Sequence, residues 1–209
     1  MIDEPKLRER GGEVMAMPVI TTPADYRFPW YVRLFFWNQK RRYGAVLEPA
    51  RLWGRTPKVF AAVALLYGTL DRRSSPIEPA LRSLITVRVS QINWCAFCVD
   101  INSALALKRG GSLDKLAELD RFESSALFSE REKAALAYAE AVTCSDRRPT
   151  AEYLARLRHH FDDDAIIELT GLIAFQNLSS KFNAALGVEA QGFCTRAPQP
   201  RGPGRSAGA

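Results

Sequence analysis

Apolar positions recur at spacings of three and four along most of this chain, and no stretch alternates like a half-buried strand. The pattern predicts an all-α fold. Pro29 marks the start of a helix over Trp30–Arg42, dense in aromatic side chains and closing on Lys40, Arg41 and Arg42. Thr56-Pro57 offers an N-cap and a first-turn proline for a helix to about Leu70. Pro79 opens another, whose Leu81, Ile85, Val89 and Ile92 fall on one stripe. The next runs from Cys95 to Lys108 and stops at Gly110-Gly111, residues suited to a left-handed C-terminal cap.

Ser112 then caps a short helix to about Leu119. Ser129-Glu130-Arg131-Glu132 has the form of a capping box and opens an alanine-rich helix to about Thr143. Thr150 caps one more, and Asp162-Asp163-Asp164 opens a long one ending near Gly187. Three acids at a helix start complement its dipole more simply than they bind a metal. Residues 26–195 therefore form one helical domain. Residues 1–25 are an N-terminal extension, and residues 196–209, rich in Pro, Gly, Ala and Arg, read as a disordered tail.

Composition narrows the class. A hydrophobic fraction of 47% and a charged fraction of 25% are ordinary for a soluble globular domain. The longest apolar run, Val59–Tyr67, falls far short of the roughly 20 residues a membrane-spanning helix needs. The segment Met1–Met17 carries charges of both signs and lacks the apolar core of a secretory signal, so a cytoplasmic location is expected. The net charge of +6 is peripheral: residues 27–42 hold five basic groups and no acid, whereas residues 43–195 hold eighteen of each sign. A neutral body argues against a nucleic-acid partner.

The chemistry concentrates at Cys95-Ala96-Phe97-Cys98, two thiols three residues apart at the start of a helix. Such a pair can close a small disulfide, and a helix N-terminus favours the thiolate. Zinc would need further ligands, but Cys144 and Cys194 are isolated and His159 and His160 are adjacent at a helix end. A redox dithiol with no metal and no cofactor is the better reading. Asp100 reads as a solvated or ion-paired carboxylate, and Cys144 and Cys194 as packing residues. Eight aromatics between Tyr26 and Tyr43 are more apolar surface than a monomer's outer helix can expose, which predicts a subunit contact in preference to a membrane surface.

The stretch Leu81–Gly110, LRSLITVRVSQINWCAFCVDINSALALKRG, resembles the carboxymuconolactone decarboxylase superfamily, in particular its alkylhydroperoxidase D-like branch with a Cys pair. The similarity continues through Phe128–Ala139 and Phe161–Leu186. The resemblance implies an all-helical fold that assembles into homo-oligomers, trimers or hexamers. It also implies reduction of small-molecule hydroperoxides at the expense of an external thiol or protein reductant. In that family eleven residues separate a Glu from the Cys-x-x-Cys, and three separate the Cys-x-x-Cys from a following His. The second Cys attacks the peroxide, His and Glu handle its proton, and the first Cys closes the disulfide.

Laid on this chain, the cysteines match at Cys95 and Cys98, but the histidine position is Asn102 and the glutamate position is Ser83. Asn102 lies four residues after Cys98, on the same helix face, and can form hydrogen bonds but cannot take a proton near neutral pH. A free thiol with a pKa of about 8.5 is only a few per cent ionised there. Activation would fall to the helix N-terminus, aided by Arg88 or by Asp100 acting through water. The expected function is a cysteine-based peroxidase; the alternatives are a lactone decarboxylase and a non-catalytic oligomeric binding protein.

Overall fold

The computed structural model describes residues 20–194. Only residues 20–25 of the expected extension fall in that range, and the expected tail, residues 196–209, lies outside it. The described residues form nine α-helices, one 3-10 turn and no strand: α1 Trp30–Tyr43, α2 Glu48–Gly54, α3 Pro57–Leu70, α4 Pro79–Ile92, α5 Ala96–Lys108, α6 Leu113–Ala117, the 3-10 turn Leu119–Arg121, α7 Glu130–Thr143, α8 Ala151–Arg158 and α9 Asp163–Ala185.

Caps fix most of these boundaries. Ser129 and Glu132 form the capping box, Ser112 accepts from the Lys115 amide, and Asp162 accepts from the Ala165 amide at 2.7 Å. Two expected caps are not made. Thr56 turns its hydroxyl to the Trp53 carbonyl instead of to the α3 amides, and Thr150 makes no side-chain cap. Gly110 alone takes the left-handed conformation (φ 87°), whereas Gly111 is needed for closeness: a Cβ there would sit 2.9 Å from the Ala106 carbonyl oxygen. The seven-residue α2 has no counterpart in the sequence reading. It is too short for a periodic signal and is held from outside, by Gln39 of α1 accepting from the Leu47 amide.

The buried apolar residues fall into two clusters. The larger is built where α4 packs on α7 and α9, around Leu84, Ile85, Leu136, Leu169 and Ile173. The smaller lies where α1, α2 and α3 cover one end of α5 and α9, around Val32, Phe36, Leu52, Phe60 and Phe97, and it contains both Cys95 and Cys98. The thiols are therefore part of a core, under a clamp of three helices.

That clamp is incompletely buried. In α1, Val32, Phe36 and Gln39 face inward, with Phe36 edge-on to Phe28 at 4.9 Å, while Trp30, Leu34 and Trp37 face solvent. Apolar residues thus do surround this helix. In α3 only Phe60 is buried; Val59, Leu65, Leu66 and Tyr67 are exposed, Leu65 to 74%. No helix among the described residues is long and apolar enough to cross a membrane.

Asp100 overturns its sequence reading. It is 4% exposed and pairs with no cation; its carboxylate accepts the backbone amides of Gln191, Phe193 and Cys194 at 2.6–2.9 Å. Those partners lie over ninety residues away, so local sequence could not reveal them. The contact staples the segment after α9 onto α5, beside the thiols. Asp100→Ala should leave the buried Cys194 amide and the more exposed Gln191 and Phe193 amides without their carboxylate, a buried donor costing about 1–3 kcal/mol and the other two less. Urea denaturation should show a loss of roughly 3 kcal/mol or more, with Asp100→Asn losing less. An alanine variant as stable as the parent would refute this staple.

Candidate functional site

The site begins at a corner. α4 ends at Ile92, and Trp94 adopts a left-handed conformation (φ 57°), rare for a large residue. The reversal lets the Cys95 amide donate to the Ser90 carbonyl at 3.0 Å and starts α5 at Cys95. Cys95 is itself the N-cap: its sulfur accepts the Cys98 amide at 3.2 Å, in the place a serine or aspartate oxygen usually takes. The cap stacks the two sulfurs on the first turn of α5, and both thiols are free.

α9 supplies the opposite wall. Gln176, Ser179 and Asn183 lie three and four residues apart on one face and project toward Cys98. Asn183 Nδ2 donates to Cys98 Sγ at 3.2 Å, and Gln176 also donates to Ser90 Oγ at 2.9 Å. Asn183 Oδ1 is buried without a partner among the described residues, so this amide serves the sulfur alone. Deep burial pushes the Cys98 thiol up, but hydrogen bonds from Cys95, Asn183, Ser179 and Gln176 outweigh it, leaving Cys98 below the ordinary thiol range. Cys95 moves the other way, because its hydrogen bond to Cys98, burial and the neighbouring charge all favour the protonated form. Of the two sulfurs, Cys98 is the one whose thiolate is favoured and Cys95 the one that holds its proton more tightly.

Only one of the two meets the outside. A cavity of ≈ 370 Å³ opens between α1, α3, α5 and α9, and Cys98 lines it while Cys95 lies behind. Phe35, Phe60, Phe97 and Phe175 form much of its wall. Asn102 also lines it, one turn beyond Cys98, and its side chain bonds to no described residue. Cys98, Cys95 and Asn102 are thus brought together.

Ser83 is not part of this wall. It is buried on α4, donates to the Pro79 carbonyl at 3.1 Å and accepts from Arg109 at 3.2 Å. Arg109 in turn grips Asp71 with two 2.7 Å bonds, and Arg82 adds a third contact to Asp71. The family's glutamate position has become part of a structural ion-pair cluster. Arg88 is bound to Glu140 and Gln91, and Asp100 to backbone amides, so neither of these sequence candidates serves the thiols. Cys144 caps the end of α7, and Cys194 is buried next to the Asp100 staple. Among the described residues no group of three histidine, cysteine or acidic side chains could hold a metal ion. No motif marks Gln176, Ser179 and Asn183; the trace in the sequence is a polar stripe on an otherwise apolar long helix.

The family model described as "Carboxymuconolactone decarboxylase family" matches residues 46–141. The Escherichia coli K12 protein YnjA is 43% identical over 179 residues, spanning 86% of this chain and 98% of its own. Among solved structures, a peroxidase-related protein with the alkylhydroperoxidase D core from Ralstonia eutropha JMP134 superposes with a TM-score of 0.71 at 20% identity, over 90% of this chain and 100% of its own. The debrominase Bmp8 superposes with a TM-score of 0.69 at 22% identity, over 87% and 94%.

The bonds around Cys98 make its reactivity testable. Asn183→Leu removes a donor to the thiolate, so the midpoint of a pH–rate profile for alkylation of Cys98 should move up. The rate at pH 7 should fall by roughly tenfold, about the worth of one hydrogen bond to a charged group. Iodoacetamide labelling with peptide mapping reads both. Equal profiles for parent and variant would show that Asn183 does not stabilise the thiolate.

Proposed function

Because the chain belongs to the carboxymuconolactone decarboxylase family and has the alkylhydroperoxidase D-like fold, we propose that it is a two-thiol reductase, a peroxidase acting on organic hydroperoxides. The observation that carries this reading is the asymmetry of the pair: Cys98 faces the cavity with a depressed pKa, and Cys95 stands behind it holding the proton. The Cys98 thiolate attacks the outer peroxide oxygen and the O–O bond breaks. The product is a Cys98 sulfenic acid and an alkoxide, which takes up a proton to leave as the alcohol. Cys95, once its proton has passed to the alkoxide, forms an S–S bond to Cys98 as a thiolate and releases the sulfenic oxygen as hydroxide, which a solvent proton turns into water. The hydroperoxide gains two electrons, the dithiol loses two, and an external thiol or dithiol protein restores the pair.

No acid–base side chain is needed for the attack itself. Hydrogen bonds of Asn183, Ser179 and Gln176 replace part of what the absent histidine and glutamate would supply. The cavity wall holds no histidine, aspartate or glutamate, so a lactone decarboxylase here would have to draw its acid and base from Lys108, Tyr43, Tyr67 or Cys98. A second reading rests on the aromatic wall together with the fold shared with Bmp8, which has been solved in a cysteine-to-alanine form with 2,3,4-tribromopyrrole. In it the same dithiol reduces a carbon–halogen bond, replacing halogen by hydrogen and releasing halide as the disulfide forms.

Treatment with cumene hydroperoxide should give a Cys95–Cys98 disulfide by mass spectrometry and one alcohol per disulfide. Cys98→Ser should abolish both, and Cys95→Ser should stop at a trappable sulfenic acid on Cys98. Thiols that stay reduced under excess peroxide would refute the peroxidase, and halide release from a halopyrrole would then favour the second reading.

The proposal includes assembly into a homo-oligomer. Trp30, Leu34 and Trp37 on α1 and Leu65 on α3 expose large side chains on the helices that roof the cavity. Burying a side chain of this kind is worth about 1.5–3 kcal/mol, so a shared interface is strongly favoured. Light scattering should find a trimer or hexamer, and Trp37→Asp with Leu65→Asp should shift it toward monomer. A monodisperse, soluble monomer of the parent chain is the outcome that sinks this part.

A further inference from the structure

The cavity is long and electrically lopsided. α5 runs its length, contributing Cys98, Ile101, Asn102, Leu105 and finally Lys108 to one wall. Ten residues of helix from Cys98 to Lys108 rise about 15 Å. Two other helices bring their last turns to the cavity, α1 with Arg42 and α3 with Tyr67. Arg42, Tyr67 and Lys108, from the last turns of α1, α3 and α5, line the same cavity, and the Tyr67 phenol feels the charges of Asp71, Arg109 and Arg42.

The lining contains Arg42 and Lys108 but no aspartate or glutamate. Neither cation forms an ion pair with any described residue; Arg42 only rests over the Tyr43 ring at 5.4 Å. The nearby carboxylate, Asp71, is already held by Arg109 and Arg82. Each cation complements the dipole of its own helix, but that is a weak, solvent-screened interaction and leaves the charge open to a ligand. Although 39% of the Tyr67 surface is exposed, desolvation of its phenol and the Asp71 charge push that group up to about 12, so it remains a neutral donor across the physiological range. Between this polar end and Cys98 the wall is mostly aromatic and aliphatic.

This geometry points to an amphiphilic substrate with a carboxylate head: the carboxylate on Arg42, Lys108 and the Tyr67 hydroxyl, the apolar chain along α5, and the reducible group at Cys98. The inference rests on the reductase reading for its last element only; the head-group site stands on the cavity itself. A carboxylate on these donors would be fixed by charge-assisted hydrogen bonds, and an extended chain of ten to twelve carbons would match the 15 Å span.

The test is a calorimetric titration of the oligomer-competent full chain, carrying Cys98→Ser so that no redox step intervenes. Dodecanoate and dodecanol, below their micellar concentrations, serve as probes. Dodecanoate should bind at least about tenfold tighter, a preference that shrinks with added salt. Arg42→Ala with Lys108→Ala, checked as folded by its melting curve, should bind the two equally. Arg42→Lys should retain part of the preference. Equal binding of acid and alcohol by the Cys98→Ser chain, binding of neither, or a preference that survives in the double variant would overturn the proposal. Loss of peroxide turnover would instead strike the reductase reading and leave the head-group result intact.

Discussion

One hydrogen bond organises this molecule's chemistry: the Cys98 amide donating to the Cys95 sulfur at 3.2 Å. It satisfies an orphan donor at the start of α5, and in doing so it fixes how the two thiols stand to each other. A serine or aspartate at position 95 would cap the helix as well or better, but would remove the thiol that stands beside Cys98. The fold thus uses its reactive group as a structural one. Trp94 bears the strain that goes with it, a left-handed backbone between α4 and α5 that brings the Cys95 amide to Ser90.

The second constraint is burial. Cys98 is 2% exposed, in surroundings that by themselves disfavour a thiolate. A charge can form there only if donors are already in place, and α9 provides them. Gln176 is tied down by donating to Ser90 and by accepting at its carbonyl from Ser180, and Ser180 in turn accepts from Asn93. Donors fixed by such a network need little reorganisation when the sulfur ionises, and the low local dielectric strengthens each bond. With Asn at 102 and Ser at 83, neither position can transfer a proton near neutral pH, while the α9 donors still favour the Cys98 thiolate. Activity would depend more on fixed dipoles and less on a titrating base.

Much of this was legible in the sequence where the physics is local. Pro29, Pro57, Pro79, Ser112, the Ser129 capping box and Asp162 set helix starts through groups a few residues apart, and the Cys-x-x-Cys lies on a single turn. What the sequence left hidden depends on distant partners. Asp100 looked like a surface carboxylate because its amides lie 91–94 residues away. Asn183 acts on a sulfur 85 positions earlier, and Ser83 was engaged by Arg109, 26 positions on. Helix α2 was invisible because its seven residues are stabilised by Gln39 and by packing, with little periodicity of their own. The resemblance singled out Asn102, which lines the same cavity as Cys98, but it said nothing of the α9 residues that face the sulfur.

The placement of the aromatic α1 follows from the same economy of core. A domain with one well-filled cluster around α4, α7 and α9 cannot also enclose the thiol end, so α1, α2 and α3 are laid over it from outside. Laying helices over an end buries one face of each and leaves the other apolar face turned outward, which is why Trp30 and Leu65 are both 74% exposed. The roof and the exposed patch are two sides of the same helices. Trp53 stacked on Phe182 at 3.7 Å, and Phe35 edge-on to Phe60 at 4.9 Å, hold the roof from within. A contact made on the outer face would bear directly on the cavity's walls, since Phe60, Val63, Ala64 and Tyr67 line the cavity from the same helix that carries Leu65 and Leu66. A subunit contact there would couple assembly to access to Cys98 through α3, the helix that carries both the exposed patch and part of the cavity wall.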